Sequence, residues 1–590
     1  MRFTYYDEEL EYIRNLAREF GANHHEAAHL VEPGQDPDVE RLLEGFAFLA
    51  AQVRQTLDDD FPELTHGLFN MLWPHFLRPV PSLAIEQFKG RQGALRHSLR
   101  VPRGAEVVSE ESDSDLRFRY RTCWDVRVQP LELDSAAIET TRRGESSLVL
   151  QFALHPNVKF DSLDLPSLRL YLHEDVRHSW QLHYHLLRRV AEATATADAG
   201  DGPVPLRLEP VGFSREEAVL PHRDGVPMGH RLLQEYFVFP QKFGFVDLCG
   251  LEALRGDQVK SRFTVRIVFD GESESGMRVA KDDIRLHCAP VLNLFTHETE
   301  PVTLEATRAR YALRPQGADR SRLDIWSVDS MSVRGTDRVD REIPWFYSFS
   351  PDVFRESPAY FSVRRQVAPD GESFLTWATV VEASGDPHPI GEGTATFEIT
   401  CTNGRGVAAL EAGVLKGVTD TSPTGATFEN ITKPTPQIEV PQRIGLLWRL
   451  LSLMSLNHLR FASAETLSLT LELMASLNAG TATGDKGFGA GGQDERAARE
   501  IQRRIRAIRT VDAKPVERIH GGGMIRGSRI TVAVDPQPFE GIGALHLFGC
   551  VLDEFFASHA TINTFTQLDL RHDESRLPLQ WPPRLGQERL

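Results

Sequence analysis

Apolar positions recur at helical spacing near the start of the chain and at strand spacing through most of the remainder. Leu10, Ile13, Leu16, Ala17 and Phe20 lie three or four apart, and Gly21 is placed to stop that helix. Asp36-Pro37 supplies the cap and first turn of a second helix. Its stripe runs through Val39, Leu42, Leu43, Phe46, Leu49, Ala50, Val53 and Leu57. A third helix starts from Asp60, with Glu63 in the capping-box position. It turns Leu64, Leu68, Met71 and Leu72 inward and ends before Pro74. Helices this short hold only by packing on each other, on the rest of the chain or on a partner.

From Leu83 the period shortens. Residues 84–88, 117–120, 148–154, 168–172, 263–269 and 284–288 read as strands between turn residues, and a second β-rich stretch spans 311–400. Tyr236, Phe237, Phe239 and Phe243 alternate partly with period two around Pro240, as on a strand edge in a β core. Helix returns at Pro441–Leu459 and Ala464–Leu477. Leu446, Leu447, Trp448, Leu450 and Leu451 surround the first of these with apolar side chains, so it belongs in a core or in a subunit interface. Trp448→Ala is accordingly expected to cost about 3–5 kcal/mol.

Residues 478–493, rich in Gly, Ala and Thr, read as a flexible loop and as a joint that orders when a neighbour docks. A helix over Asp494–Arg509 places Ile501, Ile505 and Ile508 on one face and arginines elsewhere. Its basic side is either a dock for an acidic partner or nucleic acid, or a solvated face. A strand at Ile530–Val534, a helix at Gly543–Ser558 and a Trp-Pro-Pro tail at Trp581 close the chain. The expected fold is multidomain α+β, with an N-terminal helical region (1–82) and two β-rich domains (83–305 and 306–435). A C-terminal α/β region (436–590) comes last, with its loop near 478–493.

Charge narrows the function classes. Against 83 Asp+Glu the chain has 66 Lys+Arg, a net of −17, which argues against a nucleic-acid or anionic-membrane binder. No run approaches the roughly 20 apolar residues of a membrane span, and the N-terminus lacks a signal region. Five scattered cysteines without a CxxC pair read as reduced thiols of a cytoplasmic protein.

Catalytic templates find little. His520-Gly521-Gly522-Gly523 is similar to an oxyanion loop, but no Gly-x-Ser-x-Gly elbow accompanies it, so a turn is expected. His183 and His185 would share a face on a strand, yet their surroundings read as a helix that splays them apart. Asp58-Asp59-Asp60 reads as a helix end and a cap, and Gly484–Gly492 fits no phosphate-binding loop. No catalytic, cofactor or metal residue is nominated.

Strings of aromatic and proline residues, which no catalytic template explains, carry a resemblance. The first group is Tyr5-Tyr6-Asp7-Glu8-Glu9-Leu10, Leu57-Asp58-Asp59-Asp60-Phe61-Pro62-Glu63-Leu64 and Arg78-Pro79-Val80-Pro81. Val211-Gly212-Phe213 comes second, then Leu232-Leu233-Gln234-Glu235-Tyr236-Phe237-Val238-Phe239-Pro240-Gln241-Lys242-Phe243. Next are Pro290-Val291-Leu292-Asn293-Leu294-Phe295, Cys401-Thr402-Asn403 and Leu447-Trp448-Arg449-Leu450. The last are Leu547-Phe548-Gly549, Val551-Leu552-Asp553 and Trp581-Pro582-Pro583-Arg584. In this order they resemble the TssF family (also VasA or ImpG) of type VI secretion system baseplate subunits. His230 and Thr564 are small departures from the family pattern.

The resemblance implies a structural protein without catalysis or cofactor, similar to the wedge subunits of contractile phage-tail baseplates. It implies paired copies joined to a companion subunit (TssG), around a central hub, with the sheath initiator (TssE) and an adaptor (TssK). The wedge would initiate sheath and tube assembly in the cytoplasm of Gram-negative bacteria. Docking at the inner membrane would be indirect, and no nucleic acid is involved. Leu10, Ile13, Leu446, Leu447, Trp448, Leu450, Ile501 and Ile505 are the candidate interface residues. The alternatives are a wedge protein of a phage tail or related contractile particle and, in another class, a β-rich hydrolase.

Overall fold

A computed structural model describes Leu10, Ile13 and Arg14 and most of residues 37–586. Residues 15–36 lie outside the described residues, as do, within 37–586, the stretches 348–358, 382–392, 440–447, 453–462 and 479–491. The chain divides into two compact units, residues 1–70 with 442–451 and residues 71–441 with 452–590.

The first unit is helical where it is described. Helix α1 (Pro37–Asp58) starts at its expected proline, whose missing N–H costs nothing in a first turn. Helix α2 (Pro62–Leu72) runs to the edge of this unit. Its inward face is centred on Phe69, fully buried, while Leu72 is exposed. Leu68 and Met71 of the expected stripe are half-buried, so Leu72 is the member that departs from it. Residues 448–451 add a short helical piece, whereas Leu16, Ala17 and Phe20 lie outside the described residues.

The second unit is built on sheets. Leu83–Gly90 pairs antiparallel with both Cys288–Leu292 and Ala426–Asn430, so one five-stranded sheet gathers segments far apart in sequence. Its register sets Phe88 opposite Phe428, with the rings 5.8 Å apart. The strand expected over 284–288 is broken at His287, whose φ of 57° redirects the backbone. Ile284–Leu286 and Cys288–Leu292 therefore join different sheets.

Arg262–Glu272 lies between Glu145–Leu154 and Val190–Ala197 in a second sheet. Ser167–Leu172 pairs with Phe245–Cys249 in a third. These two sheets share a core in which Phe152 and Phe263 stack 4.9 Å apart. Two further sheets cover 295–402, around Gly393–Thr402 and Phe374–Val381, with their own core at Met331, Phe361 and Phe397.

Helices α3 (Val176–Arg188) and α4 (Met228–Val238) stand outside the sheets. Tyr236 and Phe237 lie on α4, and a 3-10 turn at Pro240–Phe243 comes next, so this segment is helix and turn rather than a strand edge. The apparent period of two comes from the break at Pro240, which interrupts a helical period.

The C-terminal part contains α5 (Ala464–Asn478) and α6 (Gly492–Arg506). Residues 479–491, most of the expected flexible joint, lie outside the described residues. The helix expected to reach Arg509 stops at Arg506. Ile508 is buried at the start of a strand, Ile508–His520, which pairs in a long hairpin with Gly523–Val534. Thr564–Arg571 adds to the hairpin in parallel.

Helix α7 (Ile542–Ser558) is buried along nearly its whole length between α3 and α4. Glycines allow the close approach. A Cβ on Gly543 would lie 2.1 Å from the Trp180 carbonyl oxygen, and one on Gly229 would lie 2.5 Å from Phe555 Cα.

Candidate assembly site

The longest of the family-like segments folds into one buried polar node. Glu235, on α4, is fully buried and accepts hydrogen bonds from the backbone N–H groups of Val219 (2.9 Å) and Leu220 (3.1 Å). Its other oxygen takes the ammonium of Lys242, which is equally buried. Arg231 Nε stands 4.0 Å from the same oxygen, and its terminal nitrogens donate to the carbonyls of Ser214 (2.8 Å) and Arg215 (3.2 Å). Burial alone would raise the Glu235 carboxyl, but Lys242 and Arg231 outweigh it and hold the group below its ordinary range.

Gly212 belongs to the same node. Its φ is 101°, and a Cβ there would lie 2.8 Å from the Lys242 carbonyl oxygen. Phe213 packs on Phe243 with centroids 4.9 Å apart. Val211-Gly212-Phe213 and the Glu235–Phe243 stretch are thus two halves of a single scaffold element.

Other family-like segments also meet in pairs. Asn293 donates to the Asn403 side-chain oxygen (2.8 Å), and the Asn403 backbone N–H donates back to Asn293 Oδ1 (2.7 Å). Trp581 stacks on His546 at 5.6 Å, beneath the Arg188 guanidinium and against Gly549. Arg584 forms ion pairs with Asp553 and, at 2.8 Å, with Glu554. Burial outweighs this pairing at Asp553 and pushes its carboxyl up to about 6.

His183 faces Trp180 while His185 faces Phe269, splayed by the helix as expected. Among the described residues no group of three or more His, Cys, Asp or Glu side chains is placed to hold a metal. His520 and Gly523 close the tip of the long hairpin. A cleft of about 440 Å³ beside Trp124 is lined by Arg103, Arg127 and Arg169; Arg169 pairs within the fold, to Asp247 at 2.8 Å and Glu217 at 3.2 Å, and Arg127 pairs with Asp164 at 3.2 Å.

Unsatisfied apolar surface is the more telling feature. Helix α1 buries Ala47 and half-buries Leu43 and Ala50, yet Leu42, Phe46 and Leu49 on the adjoining stripe are each more than half exposed. Of the nominated interface residues, Leu10, Leu450 and Ile505 are buried, and Ile13 and Ile501 are half-buried. Trp448 is 38% exposed, so it is not a core tryptophan in the isolated chain. Leu446 and Leu447 lie outside the described residues. The basic side of α6 is partly neutralised at home. Arg504 pairs with Glu500, Arg506 with Glu472 at 3.9 Å, and the nearby Arg509 with Asp535 at 2.7 Å.

The sequence model of the type VI secretion system TssF family matches residues 3–588. The chain belongs to the TssF family. It is 28% identical over 633 aligned positions to the type VI secretion system component TssF1 of Pseudomonas aeruginosa, covering 99% of this chain and 98% of that protein.

Solved structures agree. A chain of the TssK-TssF-TssG baseplate subcomplex, from cryo-electron microscopy, superposes with a TM-score of 0.76 and 30% identity. That match covers 93% of this chain and all of the other. A chain of the type VI secretion baseplate complex gives 0.64 and 25%, over 99% of this chain. The TssF-family chain described here is a baseplate component of a type VI secretion system.

Sequence reasoning found the TssF signature segments but missed what holds them together. The Glu235, Lys242 and Arg231 cluster left no periodic signal, because its members come from a helix and a turn. The exposed half of the α1 stripe was legible as apolar, but not as uncovered.

Proposed function

We propose that this chain acts as a non-catalytic wedge subunit, whose α1 face is completed by a companion baseplate subunit of the TssG type. The observation that carries the reading is the Leu42, Phe46 and Leu49 stripe. It is helical in spacing, continuous with a buried stripe, and open in the isolated chain. An amphipathic helix with half its apolar face uncovered suits helix-in-groove or bundle packing with another chain. Trp448, exposed in the same unit, would extend that contact.

The wider arrangement comes from the family. A second copy shares the wedge, TssK-type and TssE-type subunits attach to it, and the wedges ring the hub from which sheath and tube assemble. The protein works in the cytoplasm and reaches the inner membrane only through the assembled baseplate. In keeping with this, no described helix is long and apolar enough to cross a membrane.

Co-expression with the companion subunit, and then the light-scattering mass of the eluted complex, tests the reading. A complex holding more copies of this chain than of its companion is expected. A monomer that ignores the companion would overturn the assignment.

A further inference from the structure

Residues 295–402 form two sheets around one core, so each sheet has an outer face that looks away from the other. The two outer faces differ in charge. In the three-stranded sheet, Phe374–Val381 is central, with Arg310–Leu313 and Tyr360–Val367 on either side. Tyr311, Phe361, Ala378 and Val380 turn into the core. The register therefore sends Arg310, Arg364, Gln366, Leu375 and Trp377 outward together.

Arg364 stands directly opposite Trp377, and the Arg310 guanidinium lies 5.1 Å from the Trp377 ring centroid. Arg310 donates to Gln366 at 3.2 Å and forms no ion pair among the described residues. Leu375, beside them, is 40% exposed. No Asp or Glu occupies an outward position of these three strands.

The other sheet has the opposite sign. Glu298, Glu398 and Glu342 point outward from three of its strands, all exposed, and none forms an ion pair among the described residues. Glu298 and Glu398 sit directly opposite each other in the register. Like charges so placed repel across about 5 Å, a cost that a cation from outside would remove. Ser330 donates to Glu398 at 3.0 Å, but a hydroxyl leaves the charge in place. Arg334, outward on the same face, is taken by Asp340 at 2.7 Å.

Spacing and charge select the occupant. Arg310 and Arg364 are separated by two strands and one two-residue step, and so are Glu398 and Glu342. Both offsets come to roughly 12 Å. Residues 295–402 contain 17 Asp+Glu and 11 Lys+Arg, a net of −6 within a chain of −17. A nucleic acid, charged along its whole length, would meet repulsion just beyond the arginine face. A second copy of this chain presents carboxylates at the matching offset, and its own opposed pair gains a cation.

We propose that two copies of this chain join through this domain, the Arg310–Trp377–Arg364 face of one lying on the Glu298–Glu398–Glu342 face of the other. The faces look in opposite directions, so the contact is head-to-tail and makes the two copies non-equivalent. The inference rests on the baseplate reading, in which two copies share a wedge, and adds where they touch.

The test uses the full-length chain co-purified with its companion subunit, with a photoreactive benzophenone side chain at Leu375. Illumination should give a product of twice the chain mass, with the adduct mapped near Glu298 or Glu398. Arg310→Glu should lower its yield roughly tenfold, and more at low salt than at high salt. Adding Glu398→Arg to the same chain restores complementary faces, so most of the yield should return. Glu398→Arg alone should also cut the yield, yet melt no lower than the parent, because the repulsion with Glu298 is gone.

A doubled product no stronger than from benzophenone at Val418, exposed elsewhere, would overturn the proposal. Adducts confined to the companion or to nucleic acid, Leu375-to-Leu375 products, or undiminished crosslinking by a folded Glu398→Arg variant would do the same. Co-purification of the unmodified chain with its companion reports on the baseplate reading separately. An intact complex with a silent Leu375 therefore sinks only this inference.

Discussion

Lys242 donates its ammonium proton to Glu235 in a place where neither side chain touches water. A buried pair of this kind does not stabilise a fold simply by attraction, because both ions gave up their hydration to be there. Its value lies in what happens when one partner is missing. Lys242→Met is expected to cost about 3–5 kcal/mol, the usual result of stranding a buried charge. Combining it with Glu235→Gln should recover much of that loss, since the amide oxygen still accepts the Val219 and Leu220 N–H groups. Chemical denaturation of the single and double variants measures the difference. A double variant as unstable as the single would contradict the account. The pH dependence has a definite sign: a carboxyl held below its ordinary range contributes stability above about pH 4.5, and that contribution is lost as pH falls further.

Gly549 and Trp581 make a steric prediction. A Cβ at Gly549 would fall 2.2 Å from the Trp581 ring, inside its van der Waals surface. Gly549→Ala should therefore destabilise by about 1–3 kcal/mol or more, in spite of the higher helix propensity of alanine. Trp581→Leu makes room, so the double variant should lose less than the sum of the two single losses. Strictly additive losses in thermal unfolding would show that the two positions do not press on each other.

These contacts bear on what the sequence could disclose. Strands such as Leu83–Gly90 and Arg262–Glu272 were readable because apolar runs between turn residues have few other uses. Their partners were not readable. Phe88 meets Phe428, and Asn293 meets Asn403, through pairings that only the folded sheet order creates. The strand Ile508–His520 was invisible for another reason. As an exposed edge it carries Arg509, Asp512, Lys514, Pro515 and Glu517, the residues that guard an edge and erase the alternating pattern. The signature segments revealed the family, yet the site in the assembly sense is uncovered surface, and no sequence pattern distinguishes a covered stripe from an open one.

His183 offers a test by pH. Burial drives its imidazole down to about 4, from an ordinary value near 6.5. Below the ordinary value the unfolded chain takes up a proton that the folded one refuses, so stability falls as pH drops from about 6.5 toward 4. The contribution of this one group is at most about 3 kcal/mol across that window. Asp553 works in the opposite direction. Its carboxyl is raised to about 6, so its contribution is present at low pH and lost as pH rises through that value. His183→Leu should accordingly flatten the acid loss of melting temperature while leaving stability at neutral pH little changed. An unaltered slope between pH 6.5 and 4.5 would mean that the imidazole is hydrated in solution.

The stripe on α1 separates folding from assembly. Leu42, Phe46 and Leu49 are exposed in the isolated chain, so replacing all three with Ser removes little buried area. Their loss should change stability by no more than a few tenths of a kcal/mol each, as is usual for surface positions. Trp448→Ala should likewise cost less than about 2 kcal/mol, since a tryptophan 38% exposed has not buried the area behind the ~3–5 kcal/mol of a core aromatic. Association should respond very differently, because apolar anchors at the centre of an interface commonly carry most of its energy. The triple variant is expected to melt like the parent and to fail to retain the companion subunit in size-exclusion chromatography. Retention by a folded triple variant would move the interface away from α1. A large loss of melting temperature would show instead that these side chains pack within the chain, and that the exposed stripe closes in solution.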